Sequence, residues 1–139
     1  MSQISEQDAR NLSMQHREYQ ARAEAIQQQR SMVQVSIEEC VRALGTIAEL
    51  ENLEGEMDTM LPIGSGSFLH AKLNKIDNVV VNVGAGISVE KSVEGAKETL
   101  NKRKGELEKV LEQMTQSLTQ ISQNMKAIED TVARASAPQ

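Results

Sequence analysis

The sequence predicts a mainly α protein with a small β region: a long antiparallel coiled-coil hairpin of two helices, with two β-hairpins between them. Aromatic residues make up 1% of the 139 residues, so the side chains that dominate most compact cores are missing. The mixture of Leu, Ile, Ala and Met with Glu, Gln, Lys and Arg is typical of long helices. Apolar residues recur in steps of four and three over two long segments. In the segment between them, successive side chains follow the period of two that is typical of strands.

The first predicted helix covers residues 5–57, and no proline interrupts it. Its clearest heptad seam consists of Val33, Ile37, Cys40, Leu44 and Ile47. The same register continues backward with weaker apolar character through Arg30, Ile26, Ala23, Tyr19, His16 and Leu12. Cys40 is the only cysteine, and its place on the seam favours packing over the alternative of a reactive thiol.

The second predicted helix covers residues 92–135. Ser92 is a suitable N-cap, and Glu94 favours the helix dipole in the first turn. Its seam consists of Leu100, Lys104, Leu107, Leu111, Met114, Leu118, Ile121, Met125, Ile128 and Val132. Helices of roughly forty to fifty residues extend about 60–75 Å. Such helices must therefore pair with each other or with another chain.

The segment between the helices, residues 60–91, is rich in Gly, Val, Ile and Ser and predicts four short strands in two tandem hairpins. A Gly-x-Gly sequence stands at each predicted turn, where glycine supplies positive φ; the turn glycines are Gly64, Gly66, Gly84 and Gly86. Four short strands cannot bury both faces alone. We therefore expect oligomerisation through a β surface that includes Ile63, Phe68, Leu69, Val79, Val81, Val83, Ile87 and Val89.

The composition argues against several classes of function. The net charge of −5 and the lack of a basic block argue against nucleic-acid binding. Apolar runs are too short to span a bilayer, and the first residues do not resemble a secretory signal. These features predict a cytoplasmic protein that binds neither membrane nor nucleic acid.

No motif predicts catalysis, a cofactor or a metal site. The two Gly-x-Gly sequences precede strands rather than a helix, so they lack the context of a phosphate-binding loop. His16 and His70 lie on different predicted elements, without ligand clusters at metal spacing. We therefore expect a protein that is not an enzyme.

The free ends of the two helices carry apolar residues that an antiparallel hairpin would bring together, far from the β region. These residues, here called the tip set, are Ile4, Leu12, Met14, Met125, Ile128 and Val132. Methionine adapts its shape to varied partners, which favours a surface for apolar clients. The alternative is that these residues only close the last turns of the coiled coil.

Two segments of the β region resemble a known family. Pro-Ile-Gly-Ser-Gly-Ser-Phe at 62–68 and Val-Asn-Val-Gly-Ala-Gly-Ile-Ser-Val-Glu-Lys at 81–91, set between two coiled-coil helices, resemble prefoldin alpha subunits of the archaeal type. The resemblance covers essentially the full chain, so residues 1–139 are expected to form a single prefoldin-like unit.

The resemblance implies a cytoplasmic heterohexamer of two alpha and four beta subunits, in which the strands form intersubunit β-barrels and the coiled coils project as tentacles. It further implies an ATP-independent chaperone that captures unfolded proteins at the coiled-coil tips and delivers them to a group II chaperonin. Two β-hairpins rather than one select the alpha type. The alternative hypothesis is a structural coiled-coil adaptor that binds one specific folded partner.

Overall fold

The computed structural model describes residues 4–136 and contains two helices with two antiparallel β-hairpins between them. The elements are α1 (Glu6–Glu51), β1 (Met57–Gly64), β2 (Ser67–Leu73), β3 (Asn78–Gly84), β4 (Ile87–Ser92) and α2 (Val93–Ser136). β1 pairs with β2 and β3 pairs with β4, each as a separate two-stranded sheet. The fold class predicted from the sequence is confirmed.

Contacts between residues divide the chain into two compact units. The helical unit contains residues 4–36 and 107–136, and the β unit contains residues 37–106. Contacts group in this way because each turn of a paired helix contacts only the turns level with it. In both units the paired segments of α1 and α2 run antiparallel, since early residues of one helix meet late residues of the other.

Serine caps the start of each helix. The Ser5 hydroxyl accepts a hydrogen bond of 3.0 Å from the backbone N–H of Asp8, and the Ser92 hydroxyl accepts one of 3.1 Å from that of Gly95. Each bond satisfies one of the N–H groups that a helix start leaves without a partner. The helix starts predicted near Ser5 and Ser92 are therefore confirmed.

The predicted end of the first helix is wrong: α1 ends at Glu51 and not at Met57, which instead begins β1. The backbone N–H groups of Asn52 and Leu53 bond to carbonyls three residues earlier, which tightens and closes the last turn. Gly55 then adopts a φ of 84°, a conformation that redirects the chain. Because β1 starts early, the β region begins at Met57 rather than at residue 60.

The seam predicted by heptad spacing is confirmed in both helices. All eleven α1 positions named for it are buried or half-buried, including the polar His16 and Arg30. On α2 the same holds for every named position except Val132, which is exposed. Cys40 is buried on this seam, as its spacing predicted.

A small apolar core within the β unit joins hairpin β3–β4 to the helices. Ile47 of α1, Val81 of β3, and Ala96 and Leu100 of α2 are buried together, with Ala96 fully inaccessible. Burial of side chains from three elements fixes hairpin β3–β4 against the helices. The core is small because the chain supplies few large apolar residues to it.

Replacement of Ile47 by alanine is expected to destabilise the assembled protein by about 2 to 4 kcal/mol, since it removes buried methyl groups and leaves a cavity. Val41, on the same helix, is exposed, so Val41→Ala is the matched control and is expected to cost less than about 0.5 kcal/mol. Chemical denaturation of both variants tests this. Equal losses would contradict the placement of Ile47 in the core.

An ion pair joins the end of α1 to the start of α2 within the β unit. The Lys97 ammonium contacts the Glu51 carboxylate, and Glu94 lies 3.8 Å from the same ammonium. The hydrogen bond to Glu51 raises the pKa of Lys97 above its ordinary value. A raised lysine pKa adds stability that is present below the ordinary value of 10.5 and is lost at higher pH. The contact is therefore intact throughout the neutral range.

The two hairpins share one turn design. Gly64 and Gly66 flank Ser65 in the first turn, Gly84 and Gly86 flank Ala85 in the second, and all six residues have positive φ. Positive φ at both central residues is the type I′ geometry that matches the twist of paired strands. The predicted turn glycines are confirmed, and the residue between each pair of glycines is also left-handed.

Ala85 is strained at the centre of the second turn, because its φ of 52° costs an alanine about 1 kcal/mol that asparagine largely avoids. Ala85→Asn is therefore expected to stabilise the protein by about 0.5 to 1 kcal/mol in chemical denaturation. Gly86→Ala is the opposing variant: its φ is 74° and no atom crowds the position, so any loss reports backbone strain alone. A stabilising Gly86→Ala would contradict this account.

Candidate functional site

One face of hairpin β1–β2 is apolar and uncovered among the described residues. Cross-strand partners share a face, and the pairs Met57–Leu73, Thr59–Ala71 and Leu61–Leu69 lie on one side. Leu61 and Leu69, directly opposite each other, are 52% and 55% exposed. Burying one such leucine is worth about 1.5 to 3 kcal/mol, so this face is suited to contact with another chain.

The other face of this hairpin is more polar. It carries the pairs Asp58–Lys72, Met60–His70 and Pro62–Phe68. The alternation of Phe68, His70 and Lys72 against Leu69, Ala71 and Leu73, expected from the sequence, is therefore confirmed. The exposed apolar residues on this face are Met60, Pro62 and Phe68.

Hairpin β3–β4 is covered on only part of its surface. Val81 is buried in the core, and Val79 packs partly against it. On the opposite face Val80, paired with Glu90, is 68% exposed. One face of the hairpin therefore packs on the core of the β unit, and the opposite face exposes the apolar side chain of Val80 to solvent.

The β residues predicted for oligomerisation fall into two groups. Val81 and Val79 belong to the core of the β unit itself, and the others are exposed: Ile63, Phe68, Leu69, Val83, Ile87 and Val89. The sequence prediction omitted four exposed large apolar residues of the same region, Met57, Met60, Leu61 and Val80. Met57 was missed because the first helix was expected to run to residue 57, whereas the other three already lay in the predicted β region, where their apolar character was visible.

A groove of about 590 Å³ runs beside β3 in the β unit. β3 contributes the consecutive residues 78–82, and α1 and α2 contribute Ile47, Leu50 and Leu100. Arg103 lines the groove and donates a hydrogen bond to the backbone carbonyl of Asn82. The side of β3 away from β4 has no strand partner among residues 4–136, so a strand from another chain has both an edge and an apolar lining there.

The tip set lies in the helical unit, and its members differ in exposure. Met14 and Val132 are exposed, Ile4, Leu12 and Met125 are half-buried, and Ile128 is buried. The set therefore combines apolar groups already in solvent with others covered by the facing helix.

A second groove, of about 550 Å³, lies within the helical unit between the same two helix segments. Its apolar lining includes Ala9, Ile128, Val132 and Ala133, and Arg17 contributes a cation. His16 and Glu129 also line it, with the His16 Nε2 atom 2.9 Å from Glu129 Oε1. Sequence reasoning missed this pair because the residues lie 113 positions apart and only the register of the two helices brings them together.

Within residues 4–136, no group of three or more His, Cys, Asp or Glu side chains is arranged to hold a metal ion. His16 lies on α1 and His70 on β2. Neither described helix contains a stretch long and apolar enough to cross a membrane. The hairpin faces and grooves described within residues 4–136 are suited to apolar contact.

Comparison with known proteins agrees with this architecture. Residues 19–137 match the model of the prefoldin subunit family. The chain is 53% identical to prefoldin subunit alpha of Methanococcoides burtonii, over 95% of this chain and 96% of that protein. It is 47% identical to prefoldin subunit alpha of Methanosarcina mazei, over 96% of each.

A solved structure is also similar. The chain resembles one from the cryo-EM structure of filamentous PFD of Methanocaldococcus jannaschii, with a TM-score of 0.72 and 26% identity. The similarity covers 88% of this chain and 99% of that one. The agreement therefore extends over both helices and the hairpins between them.

Proposed function

Since this chain belongs to the prefoldin family of chaperone subunits and is similar to its alpha subunits, we propose that it is an ATP-independent holdase subunit acting in the cytoplasm. It binds unfolded proteins at the coiled-coil tips and delivers them to a group II chaperonin. It works within a heterohexamer of two alpha and four beta subunits. The rival adaptor hypothesis predicts one folded partner instead.

The main evidence for the proposed assembly is the uncovered apolar surface of the hairpins. Leu61, Leu69 and Val80 each leave more than half of their surface in solvent, and exposure on this scale is typical of an interface seen without its partner. In the proposed hexamer the hairpins of neighbouring subunits cover these residues and form the β-barrels. This arrangement also removes the free strand edges that favour uncontrolled aggregation.

Holding is supported by the exposed and half-buried apolar side chains of the tip set. Met14 and Val132 present apolar surface directly, and half-buried Leu12 lies at a helix end where fraying is cheap. These few side chains make only weak contact with any one client segment. Several tips that engage one chain together convert weak contacts into useful affinity through effective concentration.

Native mass spectrometry of the tagged chain, isolated gently from its own host, tests the assembly. We expect a heterohexamer with two copies of this chain and four of a shorter helical subunit. The purified complex should then keep unrelated unfolded proteins from aggregating without ATP. A homodimer, or a complex with a single folded protein and no protection of unfolded proteins, would favour the adaptor.

A further inference from the structure

A histidine and a carboxylate bridge the two helices inside the groove of the helical unit that Ile128 and Val132 of the tip set line. The His16 Nε2 atom lies 2.9 Å from Glu129 Oε1, and the two side chains are 28% and 61% exposed. Ile128, next to Glu129, is buried, and Leu12, one helical turn before His16, is half-buried. The bridge therefore lies beside tip residues that the helix pairing covers.

We propose that His16 and Glu129 form a pH-dependent clasp between α1 and α2 that controls how readily the tip residues become exposed to clients. This inference rests on the proposed holdase function and adds a regulation of the same surface. Closed, the clasp keeps Ile128 covered. Open, it lets the helix ends separate and offers their apolar seam to an unfolded chain.

Among the types of charged and titratable side chain near the pair, histidine is the one that changes charge near neutral pH. Arg17 lines the same groove, and Lys126 lies one turn before Glu129 on α2. Tyr19 lies one turn after His16 on α1. Arginine and lysine are charged, and tyrosine neutral, across pH 5 to 8.

The direction of the effect follows from the charges. A protonated imidazole and the Glu129 carboxylate form an ion pair, which favours the closed helix ends. A neutral imidazole leaves only a neutral hydrogen bond, so the ends open more readily. Charge pairs of this exposure change an equilibrium by about two- to fivefold, so client binding is expected to tighten by that factor between pH 5.5 and 8.

The test uses the assembled hexamer and a permanently unfolded probe, reduced and carboxymethylated α-lactalbumin carrying a fluorophore. Its affinity is measured by fluorescence anisotropy across pH 5.5 to 8 for the wild type, His16→Gln and Glu129→Gln. The chain contains only two histidines, so His70→Gln, in β2, is the matched control. Comparison at each pH cancels the titration of the probe itself.

We expect His70→Gln to match the wild type at each pH, and the affinity of each clasp variant relative to the wild type to fall by about two- to fivefold as the pH rises from 5.5 to 8. A ratio of His16→Gln to wild-type affinity that does not change with pH would overturn the clasp. In that case binding itself would still stand.

Hydrogen exchange separates failure of the clasp from failure of the holdase function. In the same hexamers, amide protection of residues 125–136 in the wild type, relative to His16→Gln at the same pH, is expected to fall as the pH rises. A hexamer that binds no unfolded probe at any pH would refute the holdase proposal, and this protection ratio would still report on the clasp. A ratio that does not change with pH would overturn the clasp.

Discussion

Replacement of Leu69 by aspartate should prevent this chain from entering a hexamer. Leu69 lies opposite Leu61 on the apolar face of hairpin β1–β2, and both side chains are largely exposed in the single chain. The variant loses the burial of one leucine, worth about 1.5 to 3 kcal/mol, and places a carboxylate in an apolar interface, which costs several kcal/mol more. Together these effects weaken assembly by more than about a hundredfold.

The adjacent residue provides the matched control. His70 pairs with Met60 on the opposite face of the same strand, so His70→Asp introduces the same carboxylate one position away. Native mass spectrometry of each variant with the beta subunit of the proposed hexamer is expected to show hexamers for His70→Asp and unassembled chains for Leu69→Asp. Hexamers in normal yield from Leu69→Asp would show that this face is not an interface.

The coiled coil was predictable from the sequence because its physical rule is local and repetitive. Each seam residue lies three or four positions from the next, and the register carried through positions as polar as His16 and Arg30, which are half-buried as expected. The turns were predictable for a similar reason, since Gly66 and Gly86 mark positions that need positive φ. In both cases the information lies within a few residues of the feature.

The end of α1 and the roles of single valines depend on contacts between distant residues. Helical propensity alone does not end a helix at Glu51; pairing of Met57 with Leu73 draws the following residues into a strand. Val80 and Val81 are equivalent in sequence terms, yet one is exposed and the other buried, because Val81 meets Ile47 in the core. Sequence pattern identified the apolar run but not which face it would bury.

Removal of both helix ends at the same level is expected to reduce holding of unfolded proteins by tenfold or more while leaving the hexamer intact. Because His16 lies opposite Glu129, Gln20 is level with Met125 in the antiparallel pair. The variant that lacks residues 1–20 and 125–139 therefore has level ends and no member of the tip set. Loss of tip contacts removes avidity as well as affinity, which explains the size of the effect.

A pair of substitutions tests the same surface without shortening the helices. Met14→Ser with Val132→Ser is expected to weaken holding several-fold, because both apolar side chains are exposed tip residues. Met32→Ser with Val35→Ser is the matched control, since these residues are at least as exposed on α1 but lie outside the tip set. Suppression of client aggregation, measured on hexamers of verified composition, compares the variants. Equal losses of holding from both pairs would show that exposed apolar residues anywhere on the helices bind clients. Undiminished holding by the truncated hexamer of the preceding experiment would place the client site outside the tip set.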